Sequence, residues 1–237
     1  ASPANMLFGF RGVLPLGDDI PRLSVPFVTV MLILANVGLW LIASVSAQRL
    51  DASMDALGLV PSNIATGQDL GTLFTHMFAH ASVLHLAGNM FFLWIFGNHL
   101  EDAFGHLGYT CFYLLCGLVA GLAFVAVNVH SMVPCVGASG AIAGAMGAYM
   151  VLYPRSWMKT FIGTVVVELP AYLYPAFWFL MQLLLWRFSA KTGHGGIAWV
   201  CHISGFLFGA VAAIPAKRLA CLRVNGDAGK PLGNVDS

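Results

Sequence analysis

Charged residues are missing from four long stretches of the chain, 26–47, 79–100, 103–154 and 192–216. A helix crosses the hydrocarbon of a bilayer in about 20 apolar residues. The third stretch is therefore too long for one crossing, and the turn-forming residues between Asn128 and Pro134 divide it in two. A further apolar run, Phe161 to Trp186, is interrupted by Glu168 and Pro170. The pattern predicts an all-α polytopic membrane protein, a six-transmembrane-helix bundle with spans near 26–47, 83–100, 106–128, 137–153, 170–187 and 197–215. Glu168 is expected at an interface, because a charge at the bilayer centre costs a few kcal/mol or more.

Composition supports this pattern. Of 237 residues, 59% are hydrophobic and only 9% charged, about a third of the charged fraction of ordinary globular domains. A soluble monomer, a disordered chain and a coiled coil are excluded. The net charge of +1 comes without any basic run, which argues against a nucleic-acid partner. Cys111, Cys116, Cys135, Cys201 and Cys221 form no CxxC pair and read as small core residues.

Basic residues orient the bundle. With the N-terminus inside, Arg11, Arg22, Arg155, Lys159, Lys217, Arg218, Arg223 and Lys230 are cytoplasmic, and Arg49, Arg187 and Lys191 are outside. This predicts an N-in, C-in protein with a cytoplasmic segment 1–25, a membrane domain 26–216 and a cytoplasmic tail 217–237. The first span has no small-residue cleavage site and is expected to stay.

The few polar groups within the spans carry the chemistry. His85 and Asn89 are one helical turn apart and share a face. Ser139 stands at the outer end of the fourth span, and His202 one turn below the outer end of the sixth. Gly140 and Gly144 are four apart, as are Gly205 and Gly209, and small-xxx-small surfaces let membrane helices approach closely. Packing of the fourth span on the sixth through these surfaces would permit a hydrogen bond from Ser139 to His202, a nucleophile and its base. No Asp or Glu lies in any core span, so a Ser-His dyad is expected, its histidine oriented by packing or backbone groups. Membrane helices hide their peptide bonds in their own hydrogen bonds. Transmembrane segments whose helix is weak near its outer end are the expected substrates.

These residues bring a family into view. GASG at Gly137 to Gly140, HLAGNM carrying His85 and Asn89, and WVCHISGF carrying His202 occur in order on the right spans, and the chain resembles the rhomboid intramembrane serine proteases. The resemblance implies Ser139 as nucleophile and His202 as general base. It also implies that Asn89, His85 and the backbone N–H of Ser139 stabilise the oxyanion. Transmembrane proteins and the lipid bilayer are the partners it implies, with no cofactor, no metal and a bacterial plasma membrane as the expected setting. In two places the sequence departs from the family. Ala143 stands where many rhomboids carry an aromatic that stacks on the histidine, so ring support must come from elsewhere. The loop after Ala47 has Arg49 without a neighbouring Trp. His76, His80, His99, His106, His130 and His194 are read as structural or interfacial. Two alternatives remain, an inactive rhomboid-like protein that holds client helices and a metal or haem protein using His76, His80 and His85. The second lacks an HExxH motif and leaves Ser139 and Asn89 without a role.

Overall fold

The computed structural model describes residues 13–192 and 197–217. His194, Cys221 and most of the expected cytoplasmic tail, with Arg218, Arg223 and Lys230, lie outside the described residues, as do Arg11 and part of the Ser189 to Gly196 loop. Helices cover each apolar stretch: α1 (Phe27–Ala43), α5 (Val83–Val127), α6 (Ser139–Leu152), α7 (Leu173–Thr192) and α8 (Ile197–Ala212). Between α1 and α5 run three short helices, α2 (Ala47–Leu57), α3 (Pro61–Ala65) and α4 (Thr72–Thr75), and a 3-10 turn at His76–Phe78. By length and composition Val83–Val127 and Trp199–Lys217 are able to cross a membrane, whereas α1 has 17 residues and α6 only 14.

The second and third expected spans are one element, α5, broken where Gly105 adopts φ 70°, ψ 166°. A positive φ is readily open only to glycine, so the chain turns there without a connecting loop. Ser82 precedes α5, and its hydroxyl accepts from the His85 N–H at 3.2 Å, as an N-cap does. α5, α6 and α8 pack on one another and form the centre of the molecule. Every residue of α6 from Gly140 to Tyr149 is buried. α1 lies against α5, and α7 packs mainly on α8.

A small sheet was not foreseen in the hydropathy. β1 (Val13–Asp18), β2 (Trp157–Ile162) and β3 (Val165–Pro170) form an antiparallel sheet in that order. β2 and β3 are joined by Gly163 and Thr164, with Gly163 at φ 64°, the positive φ that a two-residue hairpin needs. The fifth helix therefore starts at Leu173 and not at Pro170, which closes β3. Pro175 falls in the first turn of α7, where its missing N–H costs little. Glu168 lies in β3 opposite Lys159 of β2.

Carboxylates fasten the N-terminal part to this end of the bundle. α1 has no side-chain cap of its own. Instead the buried Glu101 of α5 accepts from the N–H groups of Val28 at 2.7 Å and Thr29 at 2.8 Å, and from the Thr29 hydroxyl at 2.8 Å. The His106 ring nitrogen is 2.6 Å from Oε1, the oxygen that also takes the Val28 N–H. A negative charge here also complements the positive end of the α1 dipole. Burial raises the Glu101 pKa, but the donated hydrogen bonds outweigh it and hold the carboxyl below its ordinary range. Asp102 accepts from the Leu23 N–H at 3.0 Å and from the Ser24 hydroxyl. On β1, Asp18 takes the Tyr149 hydroxyl at 2.6 Å and lies 3.0 Å from His99 Nε2. Its pKa too is lowered, burial being outweighed by these partners.

Glu101→Gln is expected to destabilise the protein by about 2 kcal/mol, the scale of hydrogen bonds to a charged group. A depressed carboxylate contributes above its unfolded pKa of about 4.3 and loses that contribution as pH falls through the folded value. The gap in thermal midpoint between wild type and Glu101→Gln, measured in detergent, should thus be full at pH 7 and shrink as the solution is acidified below pH 4. A constant gap down to pH 3 contradicts the assignment.

Candidate functional site

The start of α6 is shaped by glycine. Gly137 has φ 117° and donates its N–H to the His76 carbonyl at 2.8 Å. A Cβ there would lie 2.8 Å from His85 Cε1 and Nε2 and 3.5 Å from Asn89 Nδ2. His85 and Asn89 therefore press on the backbone two residues before Ser139, and no side chain is tolerated between them.

Ser139 opens α6, and its hydroxyl points across to α8. The separation of Ser139 Oγ and His202 Nε2 is 2.8 Å. This approach depends on the glycines. A methyl group on Gly205 would collide with the carbonyl oxygen of Gly140, and one on Gly209 with that of Gly144. On the other face of α6, a Cβ at Gly140 would lie 2.6 Å from the Ala120 methyl carbon, so α5 is equally close.

The other ring nitrogen is also engaged. His202 Nδ1 is 2.8 Å from Gln182 Oε1 of α7, and Gln182 Nε2 donates to the Trp178 carbonyl at 3.4 Å. The amide oxygen is thus the end that faces the ring. Nδ1 then carries the hydrogen, and Nε2 presents its lone pair to the Ser139 hydroxyl. Trp178 and Trp199 flank the imidazole with centroids 5.4 and 6.1 Å away. Ring support thus comes from α7 and α8, where the sequence offered only Ala143 on α6. Ser139, His202 and Gln182 form a chain in which a proton can leave the hydroxyl for a base of fixed tautomer.

His80 joins this site, although it was read as structural. Asn89 Nδ2 is 2.9 Å from His80 Nε2, and the His80 and His85 rings meet edge to face at 5.0 Å. Burial, helped by the neighbouring His85, pushes His80 down to about 3. It stays neutral and can accept from Asn89, leaving the second amide hydrogen of Asn89 free. His76 is tied elsewhere, its Nδ1 to the Thr72 carbonyl at 2.9 Å. His99 and His106 lie at the opposite end with Asp18 and Glu101. Among the described residues no three His, Cys, Asp or Glu side chains converge as metal ligands.

Gln182 and His80 are the site members that sequence reasoning missed. Gln182 had a signal: in Leu173 to Trp186 it is the one amide in an otherwise apolar or aromatic run, and such residues in membrane helices carry a functional expectation.

Comparison with known proteins follows the same residues. A family profile described as "Rhomboid domain" matches residues 67–218. Rhomboid-like protein 11, chloroplastic, of Arabidopsis thaliana is 34% identical over 143 residues, 58% of this chain and 49% of that protein. RHOMBOID-like protein 6, mitochondrial, of the same plant is 34% identical over 107 residues, 45% of this chain and 34% of the relative. Rhomboid protease GluP of Bacillus subtilis (strain 168) is 32% identical over 114 residues, 47% of this chain and 22% of the relative. The chain thus spans half or less of the length of these relatives.

Gln182→Leu removes the acceptor for Nδ1–H and leaves a buried donor unpaired, a loss of about 1–3 kcal/mol. Labelling of Ser139 by a serine-directed phosphonate should slow roughly 5- to 150-fold, and the thermal midpoint should fall because the Nδ1–H is left buried without an acceptor. Gln182→Glu keeps an acceptor oxygen and should recover most of the rate. Equal labelling by wild type and Gln182→Leu would show that packing alone orients the ring.

Proposed function

Because the chain belongs to the rhomboid family, whose members are embedded in membranes, we propose that it is an intramembrane serine endopeptidase that cleaves transmembrane segments of other proteins with the Ser139–His202 dyad. One observation carries this: the 2.8 Å contact of Ser139 Oγ with His202 Nε2 while Nδ1 is held by Gln182. A serine placed only for helix packing has no need of a base of fixed tautomer.

In the proposed reaction His202 Nε2 takes the Ser139 proton as Oγ attacks the substrate carbonyl, then returns it to the leaving amine. The first N–H groups of α6 have no intrahelical acceptor, so the Ser139 N–H is available to the developing oxyanion. Asn89, with its uncommitted amide hydrogen, and His85 flank the same backbone. Preorganised donors of this kind usually supply the largest single stabilisation in acyl transfer.

Depth in the membrane follows from helix length. The 14 residues of α6 rise about 21 Å, against a hydrocarbon thickness of about 30 Å. If Leu152 ends near one surface, Ser139 stops about 9 Å short of the other. Water and the scissile bond would meet there, close to the outer face, which suits substrates whose helices unwind near that end. The six apolar helical stretches would then cross the membrane, both arms of α5 included. Arg22, Arg155 and Lys159 at the sheet end would face the cytoplasm, and Arg49 beyond α1 the outside.

Ser139→Ala and His202→Ala should each abolish cleavage of a transmembrane reporter without loss of folding, and the double variant should be no worse, since the two act as a unit. Asn89→Ala should lower turnover about a hundred- to a thousandfold and still allow phosphonate labelling. Robust cleavage by Ser139→Ala would sink the assignment, and a wild type that binds the reporter without cutting it would leave a client-binding role. For orientation, a single cysteine at position 155 should resist a membrane-impermeant maleimide added outside sealed cells, and one at position 49 should react.

A further inference from the structure

Two thiols meet beside the dyad. Cys135 Sγ and Cys201 Sγ are 3.6 Å apart across 66 residues of sequence. Cys135 lies in the segment that leads through Gly137 to Ser139, and Cys201 immediately precedes His202 on α8. Cys135 is half-buried, hence reachable from outside, whereas Cys201 is buried among Leu59, Ala120 and Phe124. The backbone of Cys135 is clamped to Leu59 by a reciprocal pair of hydrogen bonds of 2.9 and 3.0 Å. The proton path from Ser139 to His202 uses neither sulfur.

Sulfurs at this distance are about 1.5 Å from bonding length. α8 has no freedom to close that gap, because Gly205 and Gly209 already touch the α6 backbone. The gap must be closed by rotation of the two side chains and a shift at Cys135, which is held by its bridge to Leu59 and not by a helix. We propose that Cys135 and Cys201 are a redox-active pair that closes to a reversible disulfide, fastening the approach to Ser139 to the helix that carries His202. A low-molecular-weight disulfide such as oxidised glutathione is the oxidant. The Cys135 thiolate attacks one of its sulfurs, the oxidant's S–S bond breaks, and one glutathione thiol leaves. The Cys201 thiolate then attacks Cys135 Sγ in the mixed disulfide and displaces the second. Two protein thiols are oxidised and one disulfide is reduced to two thiols, whose hydrogens are those the cysteines gave up. This chemistry needs nothing from Ser139 and stands apart from the protease assignment.

The experiment equilibrates the purified full chain in detergent with defined mixtures of reduced and oxidised glutathione, blocks free thiols and maps peptides by mass spectrometry. A Cys135–Cys201 cross-linked peptide should accumulate as the mixture becomes oxidising and vanish with dithiothreitol, while the exposed Cys111 forms only a mixed disulfide with glutathione. The thermal midpoint should rise by several degrees on oxidation in wild type and in Ser139→Ala alike. That rise should be absent in Cys201→Ser and in Cys135→Ala, the latter a change at a half-exposed position that folding should tolerate. Independent alkylation of both cysteines at every glutathione ratio, or cross-linking between molecules in its place, overturns the proposal. Failure of Ser139 to label with phosphonate would instead count against the protease, with the peptide map unaffected.

Discussion

Where α6 crosses α8, backbone touches backbone. Gly140 faces Gly205 and Gly144 faces Gly209 with no room for a methyl group, and Gly147 meets the Phe206 carbonyl in the same way. The reach of a serine hydroxyl is short, so a hydrogen bond from Ser139 to His202 exists only if the axes are this close. One added Cβ would not weaken the contact gradually, because protein interiors are packed too densely to absorb it locally. The third helix is drawn into the same arrangement, since Gly140 and Gly144 also lie against Ala120 and Cys116 of α5. The Ser139–His202 contact and the packing of the core are therefore one property of the same row of glycines.

The two ends of the bundle use different physics. Around Ser139 the polar groups are imidazoles, amides and a hydroxyl that face one another, with His80 Nδ1 and Asn89 Oδ1 buried without a partner. At the far end carboxylates act as tethers: Glu101 holds the start of α1, Asp102 the segment before it, Asp18 joins β1 to Tyr149 and His99, and Asp19 accepts from the Trp157 N–H at 2.9 Å. In a chain with only ten acidic residues this concentration is informative. Ionic anchoring keeps the scaffold's register at one end, and the other end keeps a low-polarity setting in which a histidine can serve as a neutral base.

Helices were legible because their signal is the absence of charge over 20 residues or so, which few other structures produce. The contact of Ser139 with His202 was legible because both stand in short motifs with glycine at helical spacing. Other features were hidden for identifiable reasons. Gln182 is a single residue with no motif around it, and its role appears only when α7 is laid beside α8. The β2–β3 hairpin was masked because Val165, Val166 and Val167 score as apolar whether helical or extended; β-branching and Gly163 were the discriminating signs. The pairing of β1 with β2 spans about 140 residues of sequence and had no local trace. His80 was set aside as a loop histidine, although it stands nine residues before Asn89 and the chain must turn between them at Ser82, which brings the two together.

Gly105 carries one more consequence. An uninterrupted helix transmits any insertion or deletion as a rotation of about 100° per residue along its whole remaining length. In α5 the break at φ 70°, ψ 166° uncouples the two arms, so the arm bearing His85 and Asn89 and the arm bearing Cys116 and Ala120 each keep their own rotational phase. Length changes between the tethered Asp102 and His106 are therefore absorbed at the bend, and descendants of this chain can vary there without turning the face that carries His85 and Asn89 away from Ser139.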